Sequence, residues 1–330
     1  MAGVTRLKFG FTLPNRGVMF GLTTPAELVE AGVRAEETGL FDSVWVGDSL
    51  FAKPRLDSLA LLNGLATRTR RVKLAVGCMA SFPVRNPIVF AYEWASFDQM
   101  SEGRSLLTVC TGIVRGGASA KEGQPFGVAD NRRARLMTEN VQVVRKLWND
   151  DNASFQGEFT SFEGLTLGPK PVQKPCPIWI ASNPGGFDQD QSAMDRPLRR
   201  VAEMADGWMT VSLRPNDFAV RRGKIEGFCR EIGRDPTTLP SIEYHNVNIN
   251  PDREAGLAES KRFLDAYYGP VFPIPAIESW TALGTPEQCI EHIRAFGAQG
   301  ADQISFRITA FDQKGQFERL VRDVLPYVND

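Results

Sequence analysis

RVKLAVGCMASFPVRNPIVFAYEWASFDQMSEGRSLLTVCTG, residues 71–112, contains one full period of the pattern that decides the fold. VKLAVG (72–77) is a short apolar run closed by glycine, which reads as a buried strand. A helix begins near Pro87 and runs through IVFAYEWASFDQM, and proline suits a first helical turn because its missing N–H has no partner to lose there. SLLTVC (105–110) then opens the next strand.

The same period recurs on both sides. Upstream, LKFGFTL (7–13) reads as strand one. PAELVEAGVRAEETG follows it as a helix, with Leu28, Ala31 and Ala35 on one face and Gly39 as its stop. SVWVG (43–47) is strand two and LDSLALLNGLATRT its helix. Downstream, NRRARLMTENVQVVRKLW (131–148) sets Leu136, Val143, Val144 and Leu147 at helical spacing. PIWIA (177–181), GWMTV (207–211), SIEYHNVNI (241–249) and QISFRI (303–308) are strands five to eight, each followed by a helical stretch. Between strands seven and eight lies an extra helix, PEQCIEHIRAFGA, preceded by a proline-rich stretch around 270–275.

Strand–helix alternation of this kind predicts an α/β protein, a (β/α)8 TIM barrel formed by residues 1–330 as one domain, with insertions after strands four, five and seven. The rival is a doubly wound open sheet, which predicts a phosphate-binding glycine turn after strand one. Strand one ends instead in Leu13-Pro14-Asn15-Arg16-Gly17. Residues 112–130 exceed an ordinary barrel connection, and 151–176 read as a small hairpin (FQGEFTSF) followed by PKPVQKPCP. Long connections of this kind serve as lids or binding loops, and 112–130 and 184–195 are the lid candidates.

Composition narrows the function classes. Hydrophobic residues make up 42% and charged residues 23%, enough to bury a sizeable core. A net charge of −1 gives no support for nucleic-acid or anionic-membrane binding. No apolar run reaches the ~18 residues of a membrane span. MAGVTRLKFGFTLP has no long apolar core, so no secretory signal is expected. The five cysteines (Cys78, Cys110, Cys176, Cys229, Cys289) are scattered and odd in number, which suits a reducing cytoplasm and argues against disulfide or zinc frameworks. With only His245 and His292 present, a multi-histidine metal site is not expected.

In a barrel, residues just past the strand ends face the active site. That rule selects Asn15, Asp48, Ser49, Met79, Ser81, Cys110, Thr111, Ser182, Asn183, His245, Asn246, Asn248 and Arg307. The set has no carboxylate pair, metal cluster or nucleophile elbow, so a bound cofactor is expected to carry the chemistry. Asp48 and Ser49 are candidate proton-handling groups, with helix capping as the plainer reading. His245 titrates near neutrality, or else is a satisfied wall residue. Arg307 suits an anionic substrate, or else an ion pair in the rim. Cys110 lines a cofactor face, or else is a small buried hydrophobe. Phe20, Phe51, Phe82 and Phe272 are candidates for an apolar substrate wall, or else loop packing.

Residues 71–112 are similar to the third and fourth strand units of the bacterial-luciferase-like flavin monooxygenase family. FDSVWVGD (41–48), FEGLTLGPKPVQKPCPIWIAS (162–182), RRVAEMADGWM (199–209) and LGTPEQCIEHIRAFGAQGADQISFR (283–307) continue the resemblance in order. DQMSEGR (98–104) combined with PKPVQKP and ADGWM makes it specific. The resemblance implies reduced FMN, or a 5-deazaflavin coenzyme (F420), bound in the barrel mouth. It places Gly47 and Asp48 beside the ring, and a bulge with a non-proline cis peptide near Gly77-Cys78-Met79. It sets Thr108, Cys110 and Thr111 on strand four, and Arg133 and Ala134 at the start of the fourth helix. The phosphate falls to Ser182, Asn183, Gly185 and Gly186, where small residues let backbone N–H groups converge. Asp48, Ser49 and His245 are the catalytic candidates. Asn15, Phe82, Asn246 and Arg307 are the substrate candidates.

Two departures stand out. Ser49 occupies the place where many relatives have a histidine after the strand-two acid, and Ile113 that of the glutamate of deazaflavin sugar dehydrogenases. The first expectation is therefore a two-component monooxygenase. FMNH2 from a separate flavin reductase and O2 would oxygenate a small organic substrate, in a cytoplasmic homodimer. The alternatives are deazaflavin-dependent hydride transfer without oxygen, and a non-catalytic flavin-binding barrel subunit.

Overall fold

The computed structural model describes residues 6–113, 117–184, 193–211 and 214–330. Its barrel strands are β1 (Lys8–Thr12), β2 (Ser43–Asp48), β3 (Lys73–Met79), β4 (Ser105–Val109), β7 (Ile178–Ala181), β8 (Trp208–Thr210), β9 (Ser241–Ile249) and β11 (Gln303–Ile308). All pair in parallel, and β8 pairs with β9 to close the ring. That closure decides between a barrel and an open doubly wound sheet.

Helices cover the outside: α1 (Pro25–Glu37), α2 (Ser58–Arg68), α3 (Pro87–Met100), α5 (Asp130–Asn149), α6 (Asp195–Met204), α7 (Pro215–Glu231), α8 (Arg253–Tyr268), α10 (Pro286–Ala298), α11 (Gln313–Arg319) and α12 (Leu325–Val328). Their boundaries follow local chemistry. Thr24 caps α1 in a reciprocal box with Glu27, and Thr285 caps α10 the same way with Gln288. The hairpin β5 (Ala153–Gln156) and β6 (Ser161–Leu165) forms where FQGEFTSF predicts it. The stretch 112–130, read as a long loop, contains the short helix α4 (Ala118–Gly123).

Alternation along each strand sorts side chains into two layers. Val44, Val46, Leu74, Val76, Leu107, Val109, Val247 and Ile249 point outward into the large core shared with the helices. Trp45, Ala75, Leu106, Trp179, Met209, Ile242 and Tyr244 fill the barrel interior. Both faces of β2 are buried, which is why barrel strands read as nearly continuous apolar runs. Gly77 is glycine for a steric reason: a Cβ there would lie 2.6 Å from the Trp45 ring and 2.8 Å from Met209.

One strand escapes the sequence reading. Thr281–Gly284 forms β10, parallel to β9 and preceded by the short helix α9 (Ile274–Ser279). β8 pairs only with Ser241–Glu243 of β9, leaving the rest of that edge open, and β10 takes up Asn246–Ile249. A four-residue strand has no periodicity of its own, so only the vacant edge calls for it.

The DQMSEGR and PKPVQKP motifs prove to be two halves of one latch. Asp98 accepts from Ser105 Oγ (2.6 Å), from the Val172 and Gln173 backbone N–H groups (2.7 and 3.0 Å) and from Gln173 Nε2 (2.8 Å). Arg104 donates to Thr69 Oγ1 and to the Ala66, Thr69 and Val72 carbonyls. These motifs hold the bottom of the barrel and serve architecture.

Candidate functional site

A cavity of about 290 Å³ opens at the C-terminal ends of the strands. A larger cleft of about 620 Å³ lies outside the barrel, between α10 and the chain's end, lined by residues such as Glu287, Arg294 and Tyr327. It is open to solvent and remote from the strand ends, so the mouth cavity is the candidate site.

One half of the mouth is built from β2, β3, β4 and their loops. Asn15 Nδ2 donates to the Gly47 carbonyl (2.8 Å) and to Leu56 O (3.0 Å), while Gly47 N–H donates back to Asn15 Oδ1 (3.1 Å). Asp48 accepts from Ser58 Oγ (3.0 Å) and the Ser81 N–H (2.8 Å), with Arg85 Nη2 at 3.5 Å. Ser49 Oγ donates to Glu122 (3.1 Å) and accepts from Lys53 N–H (3.0 Å). Glu122, on α4, also accepts from the backbone N–H groups of Leu50, Phe51 and Ala52. It thereby ties the loop after strand two to the insertion after strand four. Arg133 donates to Thr111 O (2.6 Å) and Ala80 O (2.7 Å), joining the ends of β4 and β3. The Gly77–Cys78 peptide is cis, at the expected bulge. Cys78 and Cys110 line the cavity together, and the thiol of Cys78 is pushed well up by its hydrogen bond to Cys110 and by burial.

The other half belongs to β8–β11 and the insertion. Tyr244, Tyr268, Val271, Phe272 and Trp280 form an aromatic wall. Behind it Arg307 is fully buried, with the rings of Tyr268 (4.8 Å), Trp280 (4.9 Å), Tyr244 (5.1 Å) and Tyr267 (5.3 Å) around its guanidinium. Arg307 donates to Asn246 Oδ1 through Nε (3.0 Å) and Nη2 (2.6 Å), and to the Tyr268 hydroxyl through Nη1. Lys53 Nζ sits 4.5 Å from the centre of the Tyr268 ring. Among the described residues no carboxylate pairs with Arg16, Lys53, Arg55 or Arg307. Burial, together with Arg55, Arg16 and Arg307, outweighs Tyr268 and lowers the Lys53 ammonium. For Tyr268 burial acts upward, but Arg307, Arg55 and Lys53 prevail and bring its phenol below the usual range.

The structure corrects several expectations. His245 does not reach the cavity. Tyr244 faces inward, so His245 faces the helices, where its Nε2 lies 2.8 Å from His292 Nε2 and its ring packs on Phe296. Burial holds His245 well below its usual range, followed in effect by His292. Asn15 is fully buried and occupied by backbone, and Phe82 packs edge-on to Phe90 in the outer core. Asn246 and Arg307 lie behind the aromatic wall, so none of the four substrate candidates lines the cavity. Asp48 and Ser49 border it, but their polar atoms are engaged in anchoring.

The cofactor candidates divide. Gly47, Asp48, Cys78, Cys110, Arg133 and Asn183 line the cavity. Met79 turns its side chain into the outer core. Thr108 is fully buried with an unpartnered hydroxyl, and Thr111, Ala134 and Ser182 stand off the wall. Gly185 and Gly186, and most of the second lid candidate, lie outside the described residues. Sequence reasoning missed Lys53, Arg55, Ser119, Glu122, Thr210, Tyr244, Tyr268 and Trp280. Only Tyr244 had a usable signal, being one position from His245 on an alternating strand.

A closed parallel barrel with a cup at its strand ends, engaged acids and an aromatic wall is the class of site in which a bound cofactor can carry the chemistry. Residues 7–275 match the model of the luciferase-like monooxygenase family, and the chain belongs to that family. It is 35% identical to the F420-dependent glucose-6-phosphate dehydrogenase of Amycolatopsis mediterranei (strain U-32), over 92% of this chain and 94% of that one. Its fold resembles that of an F420-dependent secondary alcohol dehydrogenase solved with an F420–acetone adduct (TM-score 0.82, 20% identity, 98% and 100% of the two chains). It also resembles the monooxygenase RslO1 from Streptomyces bottropensis (TM-score 0.78, 22% identity, 97% and 99%). Both chemistries share this backbone, so fold alone does not choose between them. No helix among the described residues is long and apolar enough to cross a membrane, and none of their side chains groups into a metal site.

Proposed function

We propose that this protein is a deazaflavin (F420)-dependent oxidoreductase that interconverts an alcohol and a carbonyl compound. The observation that carries the reading is the end-to-end likeness to F420-dependent dehydrogenases, at up to 35% identity over 92% of the chain. The reduced-FMN monooxygenase expectation shares fold and cup, but these relatives favour the deazaflavin alternative. This reading needs no flavin reductase, because the substrate itself supplies the hydride.

The cup suits a flat ring with polar edges. Ser119 Oγ and Thr210 Oγ1 line it without hydrogen-bond partners, and unpartnered buried hydroxyls of this kind await an acceptor or donor. Gly112 has φ +82°, and a Cβ there would stand 3.1 Å from the Arg133 guanidinium. The volume is at the lower end of the roughly 300–1,000 Å³ typical of small-molecule sites, which suits a ring and a small substrate. A bound deazaflavin supplies a two-electron hydride acceptor. The chain supplies the wall that excludes water, the latches that fix it and the cationic backing of the aromatic side. Glucose 6-phosphate is not carried over as the substrate, because Ser49 and Ile113 replace the histidine and glutamate expected of such enzymes by resemblance.

Anaerobic titration with F420 and with FMNH2, followed by tryptophan fluorescence, tests the reading. Trp45, Trp179 and Trp280 lie in or beside the cup and report occupancy. Saturation by F420 at micromolar concentration without saturation by FMNH2 is expected. FMNH2 binding with substrate-dependent oxygen consumption overturns it.

A further inference from the structure

The barrel mouth holds no histidine among the described residues, and its carboxylates are already engaged. Asp48 is held by Ser58, the Ser81 N–H and Arg85, and Glu122 by Ser49 and backbone N–H groups. Oxidation of an alcohol nevertheless releases a proton that a cavity-lining group must take. Cys78 has its thiol bonded to Cys110 and pushed well up. The remaining oxygen acids on the wall are Tyr244 and Tyr268.

We propose that Tyr268 accepts the proton of the substrate hydroxyl, with Arg307 as the positioning residue behind it. The assignment rests on the dehydrogenase reading above. Tyr268 is half-buried at the end of α8 and lines the cavity, whereas Arg307 is fully buried behind it. Arg307 Nη1 donates to the phenol oxygen, and its Nε and Nη2 are fixed on Asn246. Asn246 Nδ2 has no partner, so that side chain is oriented by the guanidinium alone. Among the described residues the charged groups acting on Tyr268 are cations: Arg307 from β11, Lys53 and Arg55 from the loop after β2, and Arg16 from the turn after β1. Tyr244 from β9 and Tyr267 from α8 are its titratable neighbours, and burial pushes the phenols of both up. Tyr268 alone of the three is lowered. A buried arginine without a carboxylate is costly unless something else shares its charge, and the Tyr268 phenol oxygen, which accepts from Nη1, is placed to do so.

The step balances. The substrate C–H bond breaks and its electron pair leaves as hydride to the deazaflavin. The O–H proton passes to Tyr268 Oη and the C=O bond forms. In the reverse direction Tyr268 O–H returns the proton to the nascent alkoxide.

Tyrosinate absorbance of the cofactor-free protein, titrated with base, is the first readout. Of five tyrosines, one equivalent should ionise ahead of the rest, disappear in Tyr268→Phe and move to higher pH in Lys53→Met. The second readout uses the F420-loaded protein with two neutral alcohols, propan-2-ol and cyclohexanol, as probes. Tyr268→Phe should lower kcat about 10²–10⁴-fold, as loss of a general base does, with KM and F420 affinity within a few-fold. Lys53→Met should lower turnover near neutral pH far less than Tyr268→Phe does, and shift the lower limb of the pH profile upward. Absence of an early-ionising tyrosine, or undiminished kcat in Tyr268→Phe, overturns the inference. So does abolition of turnover in Lys53→Met, which would make the lysine the base. If Tyr268→Phe fails to fold, the Lys53→Met shifts carry the test. F420 binding with neither probe oxidised by wild type overturns the dehydrogenase reading and this inference with it, whereas the earlier outcomes overturn the inference alone.

Discussion

The two halves of the barrel mouth are built on opposite plans. On the β2–β4 side, Asn15, Asp48, Glu122 and Arg133 bond mostly to backbone groups, and each polar side chain fixes a loop. On the β8–β11 side the wall is aromatic, and behind it sits a buried guanidinium held by an amide, a phenol and ring faces. The first plan produces rigidity, because many separate hydrogen bonds share the work. The second concentrates electrostatic stress at one point, where loss of one partner leaves a buried cation poorly solvated. Chemistry is expected where the field is unbalanced, while the latched half fixes the shape of the cup.

The sharpest way to break the comparison is Asn246→Leu. It removes the only side-chain amide that Arg307 bonds, and breaking a buried charge's partnership costs about 3–5 kcal/mol. Urea unfolding at neutral pH should show most of that loss, and Asn246→Asp, which restores an acceptor, should recover it. A loss under 1 kcal/mol would mean the rings alone stabilise the guanidinium.

The outer face of β9 gives the next effect. Burial lowers His292 to about 4, with Arg253 adding to it, and burial, followed by His292, also holds His245 well below its usual range. In the unfolded chain both protonate near 6.5. The unfolded state therefore takes up protons that the folded state refuses as pH falls. Stability is full above about 6.5 and declines as pH drops below it; the His292 share of the loss levels off once the folded His292 titrates at about 4, while that of His245 continues. A 2.5-unit difference between 6.5 and about 4 corresponds to about 3 kcal/mol for His292. Denaturation at pH 7 and pH 4.5 should show this slope, and the His245→Phe/His292→Leu double variant should flatten it.

On the latched side, Glu122→Gln should be milder, about 1–3 kcal/mol, because one oxygen still accepts while the amide group faces N–H donors. F420 affinity should fall along with stability, since α4 borders the cup. Equal destabilisation with unchanged affinity would show that the latch serves the loop and not the site.

Much of the barrel was legible because its strands are buried on both faces. SVWVGD, VKLAVG and SLLTVC are apolar runs of strand length, and prolines such as Pro25 and Pro87 mark where helices begin. The latched half of the site was partly legible too, because Asp48 and Cys110 stand at strand ends, and the family resemblance added Gly47, Cys78 and Arg133, all of which line the cavity. The aromatic half was not. Tyr268 and Trp280 come from the insertion between strands seven and eight, whose path depends on β10 finding the free edge of β9. Glu122 lies 73 residues from Ser49, and nothing local in either sequence names the other.

By itself the sequence determined the number and order of the barrel strands, because each rests on local burial and short-range pattern; the bulge near Gly77-Cys78-Met79 was implied by the family resemblance, and the latch of Asp98 on Val172 and Gln173 belongs to the tertiary structure. Only the tertiary structure decided which face of β9 looks into the mouth. A strand alternates whatever its register, so Tyr244 and His245 were equally eligible until the packing of Ile242 inside and Val247 outside fixed the choice. The histidine went to the helices, and the cavity received a tyrosine backed by a cation.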